Sequence, residues 1–284
     1  TGTATITLGN NNDTYTSTST GVDTVTATAG NNTITTGAGA DAITLGSGGD
    51  TVTARAGADT ITVATANFDA DHTVTGGAGT DTVTISDAGT HVDADFTNFT
   101  TVETISFGNN ATTLTLGAQS AEAGIVTVTD GTANTTLTIG AGHTNATTVA
   151  LSTGTDSITA TNMTANLTVT AAVASITAAD TITGGTGTDT LSITHDGSTL
   201  TAAELANVSG FENLNVATNA TTGLITLNDA NIAAGASLTV DATTQTNTNF
   251  LFSAANETDG TVTISRGAST GTATITLGSN NDTY

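Results

Sequence analysis

GVDTVTATAGNNTITTGAGADAITLGSGGDTVTARAGADTIT, residues 21–62, repeats three features every nine residues. An acid or its amide recurs at Asp23, Asn32, Asp41, Asp50 and Asp59. An aliphatic residue follows two positions later, at Val25, Ile34, Ile43, Val52 and Ile61. A glycine precedes each by two, at Gly21, Gly30, Gly39, Gly48 and Gly57. Side chains alternate faces along a strand, so the aliphatic points inward and its two neighbours, mostly Thr, point outward. The glycines permit the positive φ and close backbone approach of a tight turn. Five consecutive turns in register predict short strands and turns stacked as a coil. The pattern resumes at Asp81 with Val83, after an insertion near Phe68, and again at Asp180 with Ile182 and Asp189 with Leu191.

Composition agrees with β structure. Apolar residues make up 36% of the 284, but aromatics only 3%, so the core rests on Val, Ile, Leu and Ala. Thr surrounds these residues, and β-branched side chains fit a pleated surface. The charge is extreme: 25 acidic residues against 2 Lys or Arg give a net charge of -23. A compact chain so charged repels itself unless it binds cations. Nucleic acid is excluded as a partner, because phosphate binding needs basic residues. Without Cys there are neither disulfides nor thiolate metal sites. No apolar run reaches transmembrane length. The first residues do not resemble a signal peptide, so any export signal is expected outside this chain.

Two longer duplications frame the nonapeptides. Residues 1–15, TGTATITLGNNNDTY, match residues 270–284, TGTATITLGSNNDTY, with only Asn10 and Ser279 differing. The simplest reading is a tandem array with a period of 269 residues, Thr270 beginning the next unit. Within the unit, Gly76–Val83 matches Gly184–Leu191, and Asn98–Ile105 parallels Asn207–Leu214.

The nine-residue pattern resembles the Gly-Gly-x-Gly-x-Asp-x-aliphatic-x nonapeptide of RTX proteins, with Gly76–Thr84 and Gly184–Ser192 matching in full. Its combination with Val102-Glu103-Thr104-Ile105 and Gly210-Phe211-Glu212-Asn213-Leu214 is similar to bacterial S-layer proteins and large repeat adhesins. The resemblance implies a calcium-binding parallel β-roll. Successive turns then fall on opposite sides, with Asp23, Asp41 and Asp59 along one edge and Asn32 and Asp50 along the other. Turn carbonyls and one carboxylate per turn suit calcium, which takes six to eight oxygen ligands. The candidate metal residues are Asp23, Asp41, Asp50, Asp59, Asp81, Asp180 and Asp189, with Asp13, Asp156 and Asp282 less regular. The associated glycines are Gly21, Gly39, Gly48, Gly57, Gly76, Gly79, Gly184 and Gly187. The competing reading is turn propensity, which Asp and Asn have without metal. His72 replaces an Asp in the register, so that turn is expected to bind no calcium. Glu103 and Glu212 occupy matching places and read as exposed strand residues, with a ligand role as the alternative.

The expected fold is all-β, with calcium-binding β-roll or β-solenoid blocks joined by further β-solenoid or β-sandwich segments. The expected divisions are a β-roll block over 1–90, a β segment over 91–152, a second block over 153–198, a β segment over 199–269, and the next tandem unit from 270 to 284. A short helix is predicted at Thr201–Ala206, where Thr201 and Glu204 form a capping box. His72, His91, His143 and His195 are scattered with no metal spacing, and no nucleophile motif is visible. The leading expectation is a non-enzymatic structural repeat unit of an extracellular bacterial surface protein (an S-layer, filament or adhesin stalk), partnered by tandem copies of itself and the cell surface. The alternatives are an ice-binding or other adhesive solenoid, motivated by outward Thr pairs such as Thr33/Thr35 and Thr51/Thr53, and the repeat region of an RTX enzyme or toxin.

Overall fold

The computed structural model describes residues 2–218, 223–244, 249–267 and 272–284. Part of the expected tandem junction, residues 268–271, lies outside the described residues. Thr-aliphatic-Thr triplets make strands, most of them with the centre buried. Thr33–Thr35, Thr51–Thr53 and Thr73–Thr75 bury Ile34, Val52 and Val74 in this way. Parallel strands cannot be joined by a hairpin. Here the chain makes a strand on one face, turns, makes a strand on the opposite face, and returns to pair one coil later. The result is an all-parallel β-solenoid.

The chain divides into two compact units, Thr1–Ala133 with Gly142–Asn145, and Asn134–Ala141 with Ala146–Tyr284. In the first, one sheet runs through Ala4–Thr7, Asp23–Thr26, Ala42–Thr44, Thr60–Val63, Thr82–Ile85, Thr104–Phe107 and Thr127–Thr129. Its register stacks Ile6, Val25, Ile43, Ile61, Val83, Ile105 and Val128 in one inward column. The opposite sheet stacks Tyr15, Ile34, Val52, Val74 and Phe99. In the second unit, one sheet runs through Thr147–Ala150, Leu167–Ala172, Thr190–His195, Asn213–Thr218, Ser237–Ala242 and Thr261–Arg266. Across it lie Ser157–Thr159, Thr181–Thr183 and Val208–Ser209, and a separate three-stranded sheet of Leu224–Thr226, Asn249–Ser253 and Thr272–Thr276. The segments between nonapeptide blocks are therefore solenoid coils too, and the sandwich alternative does not arise.

The coil is widened where the sequence inserts residues near Phe68. There Phe68 sits edge-on to His91, Phe96 and Phe99, at centroid distances of 5.1, 5.2 and 5.4 Å. These rings fill space that a nonapeptide coil does not have. One α-helix, Ala118–Ala123, was not anticipated from the sequence. Asp93, from the preceding coil, accepts the N–H groups of Gly117 (2.7 Å), Gln119 (2.9 Å) and Ser120 (2.9 Å) at its N-terminus. Burial raises this carboxyl, but those backbone donors outweigh it and hold it below its ordinary value. Most of the cap comes from another coil; locally, Ser120 Oγ accepts Gly117 N–H (2.9 Å), and Gly124 ends the helix with φ 106°.

The helix expected at Thr201–Ala206 is not formed; the segment is a run of turns. Its capping box is real: Thr201 N–H donates to Glu204 Oε2 (2.7 Å) and Glu204 N–H to Thr201 Oγ1 (3.4 Å). The chain must then enter the strand Val208–Ser209, which leaves too few residues to propagate a helix beyond its costly first turn.

Close stacking explains the glycines. Gly21, Gly39, Gly57 and Gly79 lie one above another along one edge. A Cβ on Gly57 would lie 2.0 Å from the carbonyl oxygen of Gly39, and one on Gly79 1.7 Å from that of Gly57. Both also have positive φ, 142° and 143°. Gly57→Ala should therefore destabilise the calcium-loaded chain by on the order of 1–3 kcal/mol. Gly2→Ala, which meets nothing within 4 Å, should not. Thermal melting followed by circular dichroism checks both.

Candidate metal centre

Each turn ends with a backbone N–H that faces the next coil and needs an acceptor. The residue two positions before the inward aliphatic supplies it. Asp23 N–H donates to Asp41 Oδ1 (2.7 Å), Asp41 N–H to Asp59 Oδ1 (2.7 Å), and Asp59 N–H to Asp81 Oδ1 (2.9 Å). Asp81 N–H continues the ladder to Glu103 Oε2 at 2.8 Å. Along the other edge, Asp13 N–H donates to Asn32 Oδ1 (3.0 Å), Asn32 N–H to Asp50 Oδ1 (2.9 Å), and Asp50 N–H to His72 Nδ1 (3.1 Å). The structure thus places Asp23, Asp41, Asp59 and Asp81 in one column, and Asp13, Asn32 and Asp50 in another.

These ladders use one carboxylate oxygen per residue. The second, Oδ2, of Asp23, Asp41, Asp50, Asp59 and Asp81 is buried without a hydrogen-bond partner, as is Oδ1 of Asp23. A buried carboxylate oxygen left in this state is costly, and native proteins rarely leave one without a partner or an ion. Stacking raises the cost: burial, with Asp81 and Asp41 on either side, pushes the Asp59 carboxyl up to about 6, and Asp81 is raised by burial and by Glu103. The glycine column lies along the same edge, each carbonyl close under the next glycine. A hard divalent cation fits this donor set: uncommitted carboxylate oxygens, turn carbonyls and no nitrogen ligand. Gly48 stacks over Gly30 on the other edge with φ 109°. Gly76 packs so close to the Asp81 carboxylate that a Cβ would lie 2.5 Å from Oδ2.

The second unit has the same ladder with less to spare. Thr135 N–H donates to Asp156 Oδ1 (2.8 Å), Asp156 N–H to Asp180 Oδ1 (2.8 Å), Leu167 N–H to Asp189 Oδ1 (2.7 Å) and Asp189 N–H to Glu212 Oε2 (2.8 Å). Here the second oxygens of Asp180 and Asp189 are also engaged. Asp180 Oδ2 accepts Thr177 N–H at 2.6 Å, and Asp189 Oδ2 accepts Gly185 N–H. Gly184 and Gly187 pack against the carbonyls of Gly210 and Ala165. Asp13 and Asp282 share one turn, with Oδ2 accepting Gly9 N–H (2.9 Å) and Gly278 N–H (2.7 Å). The uncommitted carboxylate oxygens of the nonapeptides are thus those of the first unit.

Glu103 and Glu212 are not exposed strand residues without a role. Each precedes a strand and takes the ladder position of an Asp, accepting from Asp81 and Asp189. The signal was present: Glu103 stands two before Ile105, and Glu212 two before Leu214, the spacing of Asp81 to Val83. His72, fully buried, takes the same ladder position and accepts the Asp50 N–H through Nδ1.

Residues 17–52, 44–63 and 177–192 match a family model. It is that of the RTX calcium-binding nonapeptide repeat. The matched RTX-type segments contain Asp23, Asn32, Asp41, Asp50 and Asp59 in the first unit and Asp180 and Asp189 in the second, and repeats of this type imply a calcium-binding β-roll module there. No curated protein and no solved structure matches the chain.

The raised Asp59 carboxyl fixes a pH dependence. The folded chain holds more protons than the unfolded one between the ordinary Asp value and about 6. Without calcium, stability is therefore greatest below that window and falls as pH rises through it. In chelator, circular dichroism should show more of the β signal kept at about pH 5 than at about pH 7, and Asp59→Asn should flatten the difference. Calcium affinity should rise over the same range, since binding needs the deprotonated carboxylate.

Proposed function

We propose that this chain is a calcium-stabilised structural repeat segment of a secreted bacterial surface protein, of the S-layer, filament or adhesin-stalk kind, and not an enzyme. The column of buried carboxylates with uncommitted oxygens carries this reading. In the RTX-type repeats of the first unit, Asp23, Asp41, Asp59 and Asp81 on one edge and Asp50 on the other would hold calcium, with turn carbonyls completing the oxygen set. The ion would supply positive charge between coils; the chain supplies rigidity and length. Among the described residues no helix is long and apolar enough to cross a membrane.

The matched ends support partnership with further copies of the same unit. Residues 272–284 form the next coil on 249–267: Thr272–Thr276 pairs in parallel with Asn249–Ser253, and Val262 N–H donates to Asp282 Oδ1 at 2.8 Å. A following copy would begin with this coil, joined by the ladder bond that links coils within the chain. The ice-binding alternative has weaker support. The outward column that runs from Thr5 through Thr24 to Thr60, Thr82 and Thr104 is broken at Ala42.

Circular dichroism with and without chelator tests the reading. The chain should lose most of its β signal in chelator and regain it with calcium, magnesium substituting poorly because it demands octahedral geometry and holds its water. A β spectrum indifferent to chelator at neutral pH would overturn it.

A further inference from the structure

We propose that Asp229, Glu257 and Asp259 form an additional calcium-type cation site in the second unit, outside every nonapeptide. Their carboxylates each offer an oxygen within 4.8 Å of the others. Asp229 opens a 3-10 turn, Asp229–Asn231, and Asp259 lies in the turn before the strand Thr261–Arg266. Asp229 and Asp259 are exposed, as acidic residues usually are. Glu257 is not: it is 1% exposed. Its Oε1 accepts the N–H groups of Gly260 (2.7 Å) and Asp259 (3.2 Å). Its Oε2 is buried with no hydrogen-bond partner.

A carboxylate buried in this way, with two more acids beside it, is unfavourable unless a cation is shared among them. No Lys, Arg or His occurs between Gly223 and Gly260 to provide one. The loop is also held in place. Asp229 Oδ1 accepts the N–H (2.9 Å) and hydroxyl (2.8 Å) of Thr258, binding one coil to the next. The Asp259 carbonyl accepts Gly235 N–H at 2.9 Å, and the Glu257 carbonyl accepts Ser279 N–H at 3.2 Å. The backbone thus fixes the three acids together before any ion arrives. Three carboxylates and no nitrogen or sulfur ligand select a hard cation, and irregular loop geometry with an open outer side suits calcium over magnesium. The site would clamp adjacent coils where the nonapeptide spacing has stopped: Asp259 stands three residues before the inward Val262, not two. The inference does not rest on calcium binding by the nonapeptides.

Equilibrium dialysis of the whole chain against radioactive calcium counts bound ions. The double variant Asp229→Asn/Asp259→Asn changes only exposed side chains and should bind one ion fewer than the parent at saturation. Glu257→Gln, which keeps the shape of the buried side chain, should also lose that ion. Asp41→Asn/Asp59→Asn should keep it while losing nonapeptide ions, so the two readings fail separately. In the unaltered chain, the amide resonances of Thr258, Asp259 and Gly260 should shift on calcium addition and broaden with manganese. An unchanged ion count in the folded double variant overturns the site. So do unmoved amides in the unaltered chain at saturating calcium, which decides the matter even if a variant does not fold.

Discussion

The backbone N–H that ends each turn needs an acceptor from the neighbouring coil, and the rest of the structure is arranged around that need. On one edge Asp meets it three times in succession, at Asp41, Asp59 and Asp81. On the other edge Asn32 meets it without charge, and His72 meets it through a ring nitrogen. Glu103 and Glu212 meet it with a longer side chain. The acceptor is thus the constant requirement, and charge is an addition to it. An amide would hold the coils together as well as a carboxylate does. Four buried carboxylates at coil spacing, about 4.8 Å, repel by on the order of 3 kcal/mol per adjacent pair at an effective dielectric near 20. Asp in place of Asn makes sense where the second oxygen has a cation to meet, which separates the metal reading from simple turn propensity.

The same stacking sets the character of the core. Two sheets face each other across a gap filled by one to three inward side chains per strand, mostly Val, Ile and Leu. Phe68, Phe96 and Phe99 cluster where inserted loops open the coil. Close approach of the turns then demands glycine or unusual backbone. Gly77 has φ 118° at the second nonapeptide position, and Arg55 adopts φ 71° at the same position one coil earlier. A non-glycine residue there carries strain, which coil stacking and the Arg55 bond to the Ser17 carbonyl (3.1 Å) hold in place.

Legibility followed regularity. Where coils are 18 residues long, as from Thr24 to Ala42 to Thr60, period, strand, turn and edge could all be read from the chain. Where they lengthen, to 22 between Thr60 and Thr82 and 27 between Leu224 and Leu251, spacing stopped specifying contacts. The helix Ala118–Ala123 has its main cap on another coil, at Asp93, and locally only Ser120 and the closing Gly124 mark it. The capping box at Thr201 was read correctly as local chemistry and wrongly as a helix, because the coil needed those residues to turn. The acids Asp229, Glu257 and Asp259 belong to two successive coils of irregular length, and no motif spans them.

The matched termini show how such a chain can extend without a specialised interface. Asp13 and Asp282 adopt one turn, each holding a glycine N–H through Oδ2. In Asp282, Oδ1 also takes the N–H of Val262 from the coil beneath. The segment beginning at Thr272 therefore carries its own acceptor for the coil before it, in addition to parallel strand pairing. A junction made this way uses the interaction that joins coils inside a unit. It requires no side chain that the repeat does not already contain. Linkers let neighbouring domains move; in the tandem array proposed above, a ladder bond at the seam would instead make each copy a continuation of the one before it.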